Sequence, residues 1–361
     1  MRLIRLDLWN FRRFVALQFE PAPGLNLLLG DNGAGKTTIL ESLHLLAYGR
    51  SFRGRVRDGL VQQGSVALEV FAELETGLAG VRRRVGLRHA GSTWTGRLDA
   101  SDVEQLGVLC QATAVVTFEP GSHALIAGAA EIRRRYLDWG VFHVEHDSLA
   151  PWRRYNRALR QRNALLKAGR AGSELDIWDR ELVEAAAPVD AMRESYVDAL
   201  NPVFASLAAE LVPAVGHVGL KYAPGWRRES MNLEDALLLG RDRDRAAGFT
   251  SVGPHRADAP IRFDAFPGRD ALSRGQAKLL ALSLLLAQAG HQAAVTGEWP
   301  IIALDDLASE LDTPHQDLVL QRLQSSGAQV LITGTQVSAA VSDRRTLVAL
   351  FHVEHGGVRH G

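Results

Sequence analysis

The amino-acid sequence predicts an α/β protein in which one discontinuous domain, carrying an antiparallel β portion, is interrupted by a helical lobe. Three observations carry that expectation. Leu25-Asn26-Leu27-Leu28-Leu29 is a nearly continuous apolar run, as in a strand buried on both faces, and a glycine-rich loop and a helix pattern from Thr37 follow it. From Glu131 the texture turns helical. The last third of the chain returns to alternating helices and short apolar strands. The discontinuous domain is assigned to residues 1–123 and 214–361, and the helical lobe to 124–213.

In chain order, residues 2–8 and 16–20 alternate apolar and polar at period two and read as strands. Residues 66–74 and 81–87 read as an antiparallel pair around a glycine-containing turn, and 113–118 as a further strand. Ser148 and Pro151 mark a helix start, after which Trp152, Tyr155, Leu159 and Leu166 recur near helical spacing. A second helical stretch covers about 174–211, with breaks expected at Pro188 and Pro202. Strand signals at 215–222 and 260–263 precede a helix after Ser273, a strand at 301–304, a helix near 315–324 and a strand at 329–333.

Composition limits the function. The 361 residues suit two or three domains, and 46% hydrophobic residues is ordinary for a globular chain, which excludes disordered and fibrous classes. One cysteine, Cys110, excludes a disulfide scaffold and a cysteine-built metal site. Equal acidic and basic counts, 41 of each, argue against constitutive non-specific nucleic-acid binding but leave room for a local basic patch. Only Lys36, Lys167, Lys221 and Lys278 are lysines, so arginine supplies nearly all the positive charge. Residues 1–13 lack the pattern of a signal peptide. The longest stretch without a charge, 279–297, is interrupted by Gln288, Gly290, His291 and Gln292 and reads as a buried helix and loop, not a membrane span. A cytoplasmic protein with no membrane partner is expected.

Gly30-Asp31-Asn32-Gly33-Ala34-Gly35-Lys36-Thr37-Thr38 contains G-x-x-x-x-G-K-[ST] without deviation, between a buried strand and a helix. Glycines let backbone N–H groups converge on phosphate oxygens, and the helix directs its positive end at the same anion. Lys36 is expected at the β- and γ-phosphates, and the Thr37 hydroxyl on Mg²⁺. Ile301-Ile302-Ala303-Leu304-Asp305-Asp306 supplies the partner: an apolar strand delivers Asp305 as the Mg²⁺-side carboxylate, and Asp306 follows where it could polarise an attacking water. Leu272-Ser273-Arg274-Gly275-Gln276 places a natural N-cap and a glycine at the start of a long helix, a second anion-binding end.

Together these motifs resemble the ATP-binding-cassette superfamily. Ser273, Arg274, Gly275 and Gln276 are similar to its signature, which contacts the γ-phosphate bound to the other protomer, and Ser309-Glu310-Leu311-Asp312 is similar to its D-loop. The resemblance implies two heads sandwiching two ATP molecules, with Asp312 near the nucleotide. Cohesin-like members separate the motifs by long heptad repeats, and no sustained heptad run exists here, so a compact head related to theirs, without a long coiled coil, is expected.

Within that superfamily the chain resembles the RecF family of bacterial recombination-mediator ATPases over nearly its whole length. Leu8-Trp9-Asn10-Phe11-Arg12-Arg13 is similar to the family's L-x-x-F-R-N start, with Arg13 in place of Asn. Glu131 to Gly140 resembles R-R-x-(F/Y)-L-D-W-G, Gly253-Pro254-His255-Arg256-Ala257-Asp258 resembles G-P-H-R-x-D, Leu272 to Lys278 resembles L-S-R-G-Q-x-K, and Leu304 to Asp312 resembles D-D-x-x-S-E-L-D. The resemblance implies an ATP- and Mg²⁺-dependent DNA-binding protein of replication and recombinational repair, with weak ATPase and a role in SOS induction. Its ATP-driven homodimer would bind double-stranded and gapped DNA and act with RecO and RecR to load RecA on single strands, in the cytoplasm at the nucleoid. Asp306, one methylene shorter than the glutamate of faster cassettes, fits slow turnover.

Thr335 takes the position of the superfamily's switch histidine, and Gln111 is the available glutamine for its Q-loop. Arg82, Arg83 and Arg84 on a strand, and Arg153, Arg154, Arg157 and Arg160 on a helix, are candidates for DNA phosphates. Phe142-His143-Val144-Glu145-His146 recurs as Phe351-His352-Val353-Glu354-His355; the second copy reads as a terminal strand and turn, whose alternation opposes a shared zinc site.

Overall fold

A computed structural model of the chain describes residues 1–54, 59–77, 79–145, 147–169, 172–337, 341, 348–354 and 356–361. In chain order the elements are β1 (Arg2–Phe11), β2 (Phe14–Phe19), β3 (Leu25–Leu29), α1 (Lys36–Tyr48), β4 (Ala67–Thr76), β5 (Val81–Ala90), β6 (Thr93–Leu98), β7 (Ser101–Val103), α2 (Gly107–Ala112) and β8 (Val115–Phe118). There follow α3 (Ala124–Ala127), α4 (Ala130–Val144), α5 (Leu149–Lys167), α6 (Ser173–Leu211), β9 (Val218–Leu220), α7 (Leu233–Leu239), α8 (Arg241–Ala247) and β10 (Ile261–Phe263). The chain closes with α9 (Arg274–Thr296), β11 (Ile301–Leu304), α10 (Leu307–Glu310), α11 (Thr313–Ser326), β12 (Val330–Gly334), β13 (Val348–Glu354) and β14 (Gly357–His360).

Two compact units result, one of residues Met1–Ser122 with Ser273–Gly361, the other of His123–Leu272. The first holds two six-stranded sheets. One, ordered β2-β1-β4-β5-β6-β7, is antiparallel throughout; the other, β14-β13-β3-β12-β11-β8, is parallel except at β14. Ile39, Leu40 and Leu43 of α1 share one core with Leu6, Leu8 and Val70 of the antiparallel sheet and Leu28, Val115 and Leu331 of the parallel one. The four strands β3, β8, β11 and β12 of the parallel sheet are largely apolar and have no exposed residue, because both their faces are covered. α9 is the one described helix long and apolar enough to cross a membrane, and most of its apolar window is packed inside this unit.

The second unit is built on α5 and α6. Residues 214–272, expected with the phosphate-loop domain, fall here instead. The reason is local: β9 and β10 pair only with each other, and Asn201 of α6 clamps them, its Oδ1 accepting from Leu220 N at 2.6 Å and its Nδ2 donating to Leu220 O at 2.9 Å. The breaks expected at Pro188 and Pro202 are also absent. α6 runs unbroken for 39 residues through both prolines, since Leu182, Ala185, Val189, Val197, Leu200 and Phe204 bury one continuous stripe that offsets the two lost donors.

Candidate nucleotide site

β3 delivers Gly30 into a loop closed by Gly35, the left-handed N-cap of α1 (φ 111°). A Cβ at Gly35 would lie 2.4 Å from Phe14 Cζ, and one at Gly30 2.4 Å from the Val353 carbonyl oxygen, so two of the motif glycines are set by close approach of the antiparallel sheet and of β13. Lys36 turns back over the loop, donating to Gly30 O at 2.6 Å and Asp31 O at 2.9 Å. Desolvation lowers its ammonium pKa below the usual value, and the charges of Asp306, Asp305 and Asp31 oppose that shift.

Thr37 meets Asp305 across the sheet, its hydroxyl donating to Asp305 Oδ1 at 2.9 Å. β11 carries Asp305 to this point as a buried carboxylate, and its pKa is raised by desolvation against the hydrogen bonds from Thr333 and Thr37. Thr333 Oγ1 on β12 donates to Asp305 Oδ1 at 2.7 Å and accepts the Asp306 N–H at 2.8 Å. Asp306 adopts a left-handed backbone (φ 53°), uncommon for a non-glycine residue, and this turns its side chain away from the line of β11.

These groups line a cleft of about 530 Å³, together with Asn32, Gly33, Gly35, Lys36, Thr38 and Thr335. The cleft also takes in Arg12 and Arg13 of the L-x-x-F-R-N-like start, together with Phe52, Arg53 and Glu119, which no motif singled out. Arg12 is held by Glu41, fully buried on α1, through contacts of 2.6 and 3.1 Å, and Ser51 donates to the same carboxylate. Glu119 follows β8 directly and lines the cleft. Gln111 is exposed on α2 and does not line the cleft. The polar Thr333 that follows the apolar run Val330-Leu331-Ile332 on the same buried strand is the sequence signal for the residue that ties the two acids together.

Ser273, Arg274, Gly275, Gln276 and Asp312 do not line this cleft. Ser273 and Gln276 form a reciprocal capping box at α9, with Gln276 N to Ser273 Oγ at 3.2 Å and Ser273 N to Gln276 Oε1 at 2.9 Å. Ser273, Arg274 and Gly275 are exposed. Asp312 caps α11, accepting His315 N at 3.1 Å, and the His315 imidazole holds its carboxyl below the usual carboxylate range.

Other motifs serve the second unit's interior. Arg133 forms a two-pronged pair with Asp258 at 2.7 and 2.9 Å, Arg134 donates to Ala257 O at 2.7 Å, and Arg193 joins Asp138 at 2.8 Å to Pro254 O at 2.6 Å. The segment 133–140 and the segment 253–258 are thus two halves of one internal clasp. His255 accepts from Tyr155 Oη at 2.7 Å, and burial lowers its pKa to about 4, so it is a neutral strut. In the repeat, residues 142–144 end helix α4 and residues 351–354 end strand β13, while His146 and His355 lie outside the described residues. Among the described residues no His, Cys, Asp and Glu group could hold a metal without help from a ligand.

A phosphate loop between two sheets, an acid-tipped strand beside it and a capped signature helix define an ATP-binding-cassette ATPase head of the kind found in SMC proteins. The family model described as "RecF/RecN/SMC N terminal domain" matches residues 2–359. The chain is 60% identical to the DNA replication and repair protein RecF of Stenotrophomonas maltophilia over 99% of both chains, and 38% identical to that of Shewanella baltica, again over 99% of both. A solved structure of the recombination mediator protein RecF with ATP superposes with a TM-score of 0.88 at 26% identity, over 99% of this chain and 97% of that one. An Smc head bound to the C-terminal winged-helix domain of ScpA shares the fold, with a TM-score of 0.60 at 14% identity, over 100% of this chain and 97% of that one. The chain belongs to the RecF family.

Proposed function

We propose that this protein is an ATP-driven DNA-binding switch of replication and recombinational repair, whose two heads close on two ATP molecules. One observation carries the reading. Gly275 sits in the first turn of α9, exposed, at ordinary helical conformation, and a Cβ there would meet nothing nearer than Ser273 Oγ at 3.9 Å. Glycine in a helix costs up to about 1 kcal/mol relative to alanine, and nothing in this chain requires it at that position. Its use lies outside the chain, where a phosphate and a facing backbone can approach the free N–H groups of α9.

Within each cleft, Lys36 and the loop N–H groups bind the triphosphate, and Arg12, Arg13 and Arg53 add positive charge around it. The donor set suits Mg²⁺, since Thr37 and Asp305 bring two oxygens to one buried point and phosphate oxygens would complete the hard-oxygen ligands. Bound there, Mg²⁺ would neutralise charge on the phosphates. Asp306, held by the Thr333 hydrogen bond, orients the attacking water, and its short side chain supports slow turnover. ATP would favour the dimer and hydrolysis release it. DNA, RecO and RecR are the proposed partners, with RecA loading on single strands and SOS induction downstream at the nucleoid, by membership of the family.

The test is to measure ATP turnover and binding to gapped DNA together. Turnover is expected to be slow and DNA-stimulated, with both activities lost in Lys36→Ala. ATP should convert monomer to dimer in sedimentation, and Ser273→Arg should block that conversion while nucleotide binding persists. A monomer insensitive to ATP would refute the proposal.

A further inference from the structure

The chain uses arginine almost everywhere as its cation, yet α9 carries Lys278 just beyond the capping box of Ser273 and Gln276. Its Nζ lies 2.8 Å from Glu310 Oε2, and the Glu310 side chain is only 10% exposed. A carboxylate so far removed from water needs a cation, and Lys278 is the one paired with it. The contact is a charge pair and not an aligned hydrogen bond, because that oxygen has no hydrogen-bond partner.

Glu310 is also tied to the acid pair. It ends the single turn α10, and its N–H donates to Asp306 O at 3.2 Å, beside Ser309 N at 2.9 Å. Asp306 in turn donates its N–H to Thr333, which holds Asp305. An unbroken path therefore runs from Thr37 and Asp305, through Thr333, Asp306 and α10, to the first turns of α9. Neither Lys278 nor Glu310 lines the cleft.

We infer that Lys278 and Glu310 form a positioning pair that sets the exposed signature end of α9 in register with the same chain's acid pair, so that occupancy of one cleft governs the surface offered to the other protomer's nucleotide. The inference rests on the two-headed ATP sandwich proposed above. Charge reversal tests the coupling directly.

The experiment uses the full chain as wild type, Lys278→Glu, Glu310→Lys and the double reversal. Affinity of the monomer for a fluorescent ATP analogue is measured beside ATP-dependent dimerisation by sedimentation and thermal melting. Each single reversal should keep nucleotide affinity within about twofold and weaken ATP-dependent association about tenfold or more, the size of a coupled charge pair. The double reversal should recover most of the association. If Lys278→Glu does not fold, Lys278→Gln is read the same way. Wild-type association in both singles overturns the inference, as does a well-folded double reversal with no recovery. A loss of nucleotide affinity parallel to the loss of association would also overturn it, since that marks a general structural defect. Failure of the wild-type chain itself to respond to ATP appears without any substitution; it overturns the sandwich reading, and this inference with it.

Discussion

The two units treat charge in opposite ways. In the second unit, buried arginines are matched by acids: Arg162, fully buried, reaches Asp179 at 2.5 Å, Asp244 at 2.8 Å and Thr250 at 2.9 Å, with only its Nη2 left without a hydrogen-bond partner. In the first unit the functional charges are left half-used. Lys36 bonds only carbonyl oxygens, and Asp305 shares one oxygen between two threonines. A cation matched by buried acids stabilises and orients a fold, whereas one bonded only to neutral carbonyls retains capacity for an anionic ligand. Sequence motifs do not reveal which kind they encode. The phosphate loop and the segment 253–258 are equally recognisable, yet one lines a cleft and the other locks an interior.

The largest expected effect breaks the matched network. Arg162→Ala leaves Asp179 and Asp244 buried without their shared cation and should destabilise the second unit by about 3–5 kcal/mol, read by denaturant unfolding. If the charges of the two units do separate work, nucleotide affinity should be unchanged under conditions where the variant is folded. In the open network, Thr333→Val removes the hydroxyl that serves Asp305 and the Asp306 N–H. It should cost about 1–3 kcal/mol by leaving a partly buried donor unpaired, and lower ATP turnover well beyond any change in nucleotide affinity.

Much of this contrast was readable beforehand and some was not. The loop of residues 30–37, the strand Ile301–Leu304 and the capping box at Ser273 follow from local chemistry, because glycine geometry, apolar runs and caps act within a few residues. The grouping of β9 and β10 with the helices was not readable, since it depends on Asn201 meeting Leu220. Arg12 lay in the start motif, but its place in the cleft, and that of Arg53, depend on Glu41, a carboxylate buried in α1 that pairs with both. The unbroken α6 shows tertiary burial overriding proline.

A smaller effect carries a definite sign. Asp305 has its pKa raised above 3.8, chiefly by desolvation, so its charged form opposes folding. That penalty is present in full above the folded-state pKa and disappears as pH falls through it towards 3.8. Asp305→Asn keeps an oxygen to accept from Thr37 and Thr333 while removing the buried charge. The variant should melt at a higher temperature than wild type at neutral pH, with the difference vanishing in acid and Mg²⁺-dependent turnover lost. Equal melting at neutral pH would show that the two hydroxyls already compensate the charge.

The smallest effects concern the surface arginines and extend the same distinction between paired and open charge to DNA. Arg82 is paired with Glu73 at 3.1 Å and Arg83 with Asp99 at 2.6 Å, while Arg154 is held by Glu181 and Glu184 at 2.7 Å each. Arg153 and Arg157 line a groove of about 620 Å³ beside Trp178, and no ion pair engages them among the described residues. An arginine whose charge is already matched releases little when it meets a phosphate, because its own acid must be displaced first. An unmatched one neutralises a phosphate and frees a counterion. Arg157→Ala should therefore reduce the salt slope of DNA binding by about one unit, and Arg82→Ala should leave it unchanged. Neither should shift thermal melting measurably, since exposed pairs contribute little. The reverse pattern in the salt titration would mean that the cross-strand pairs open on contact with DNA, and would move the nucleic-acid surface from the helical unit to the antiparallel sheet.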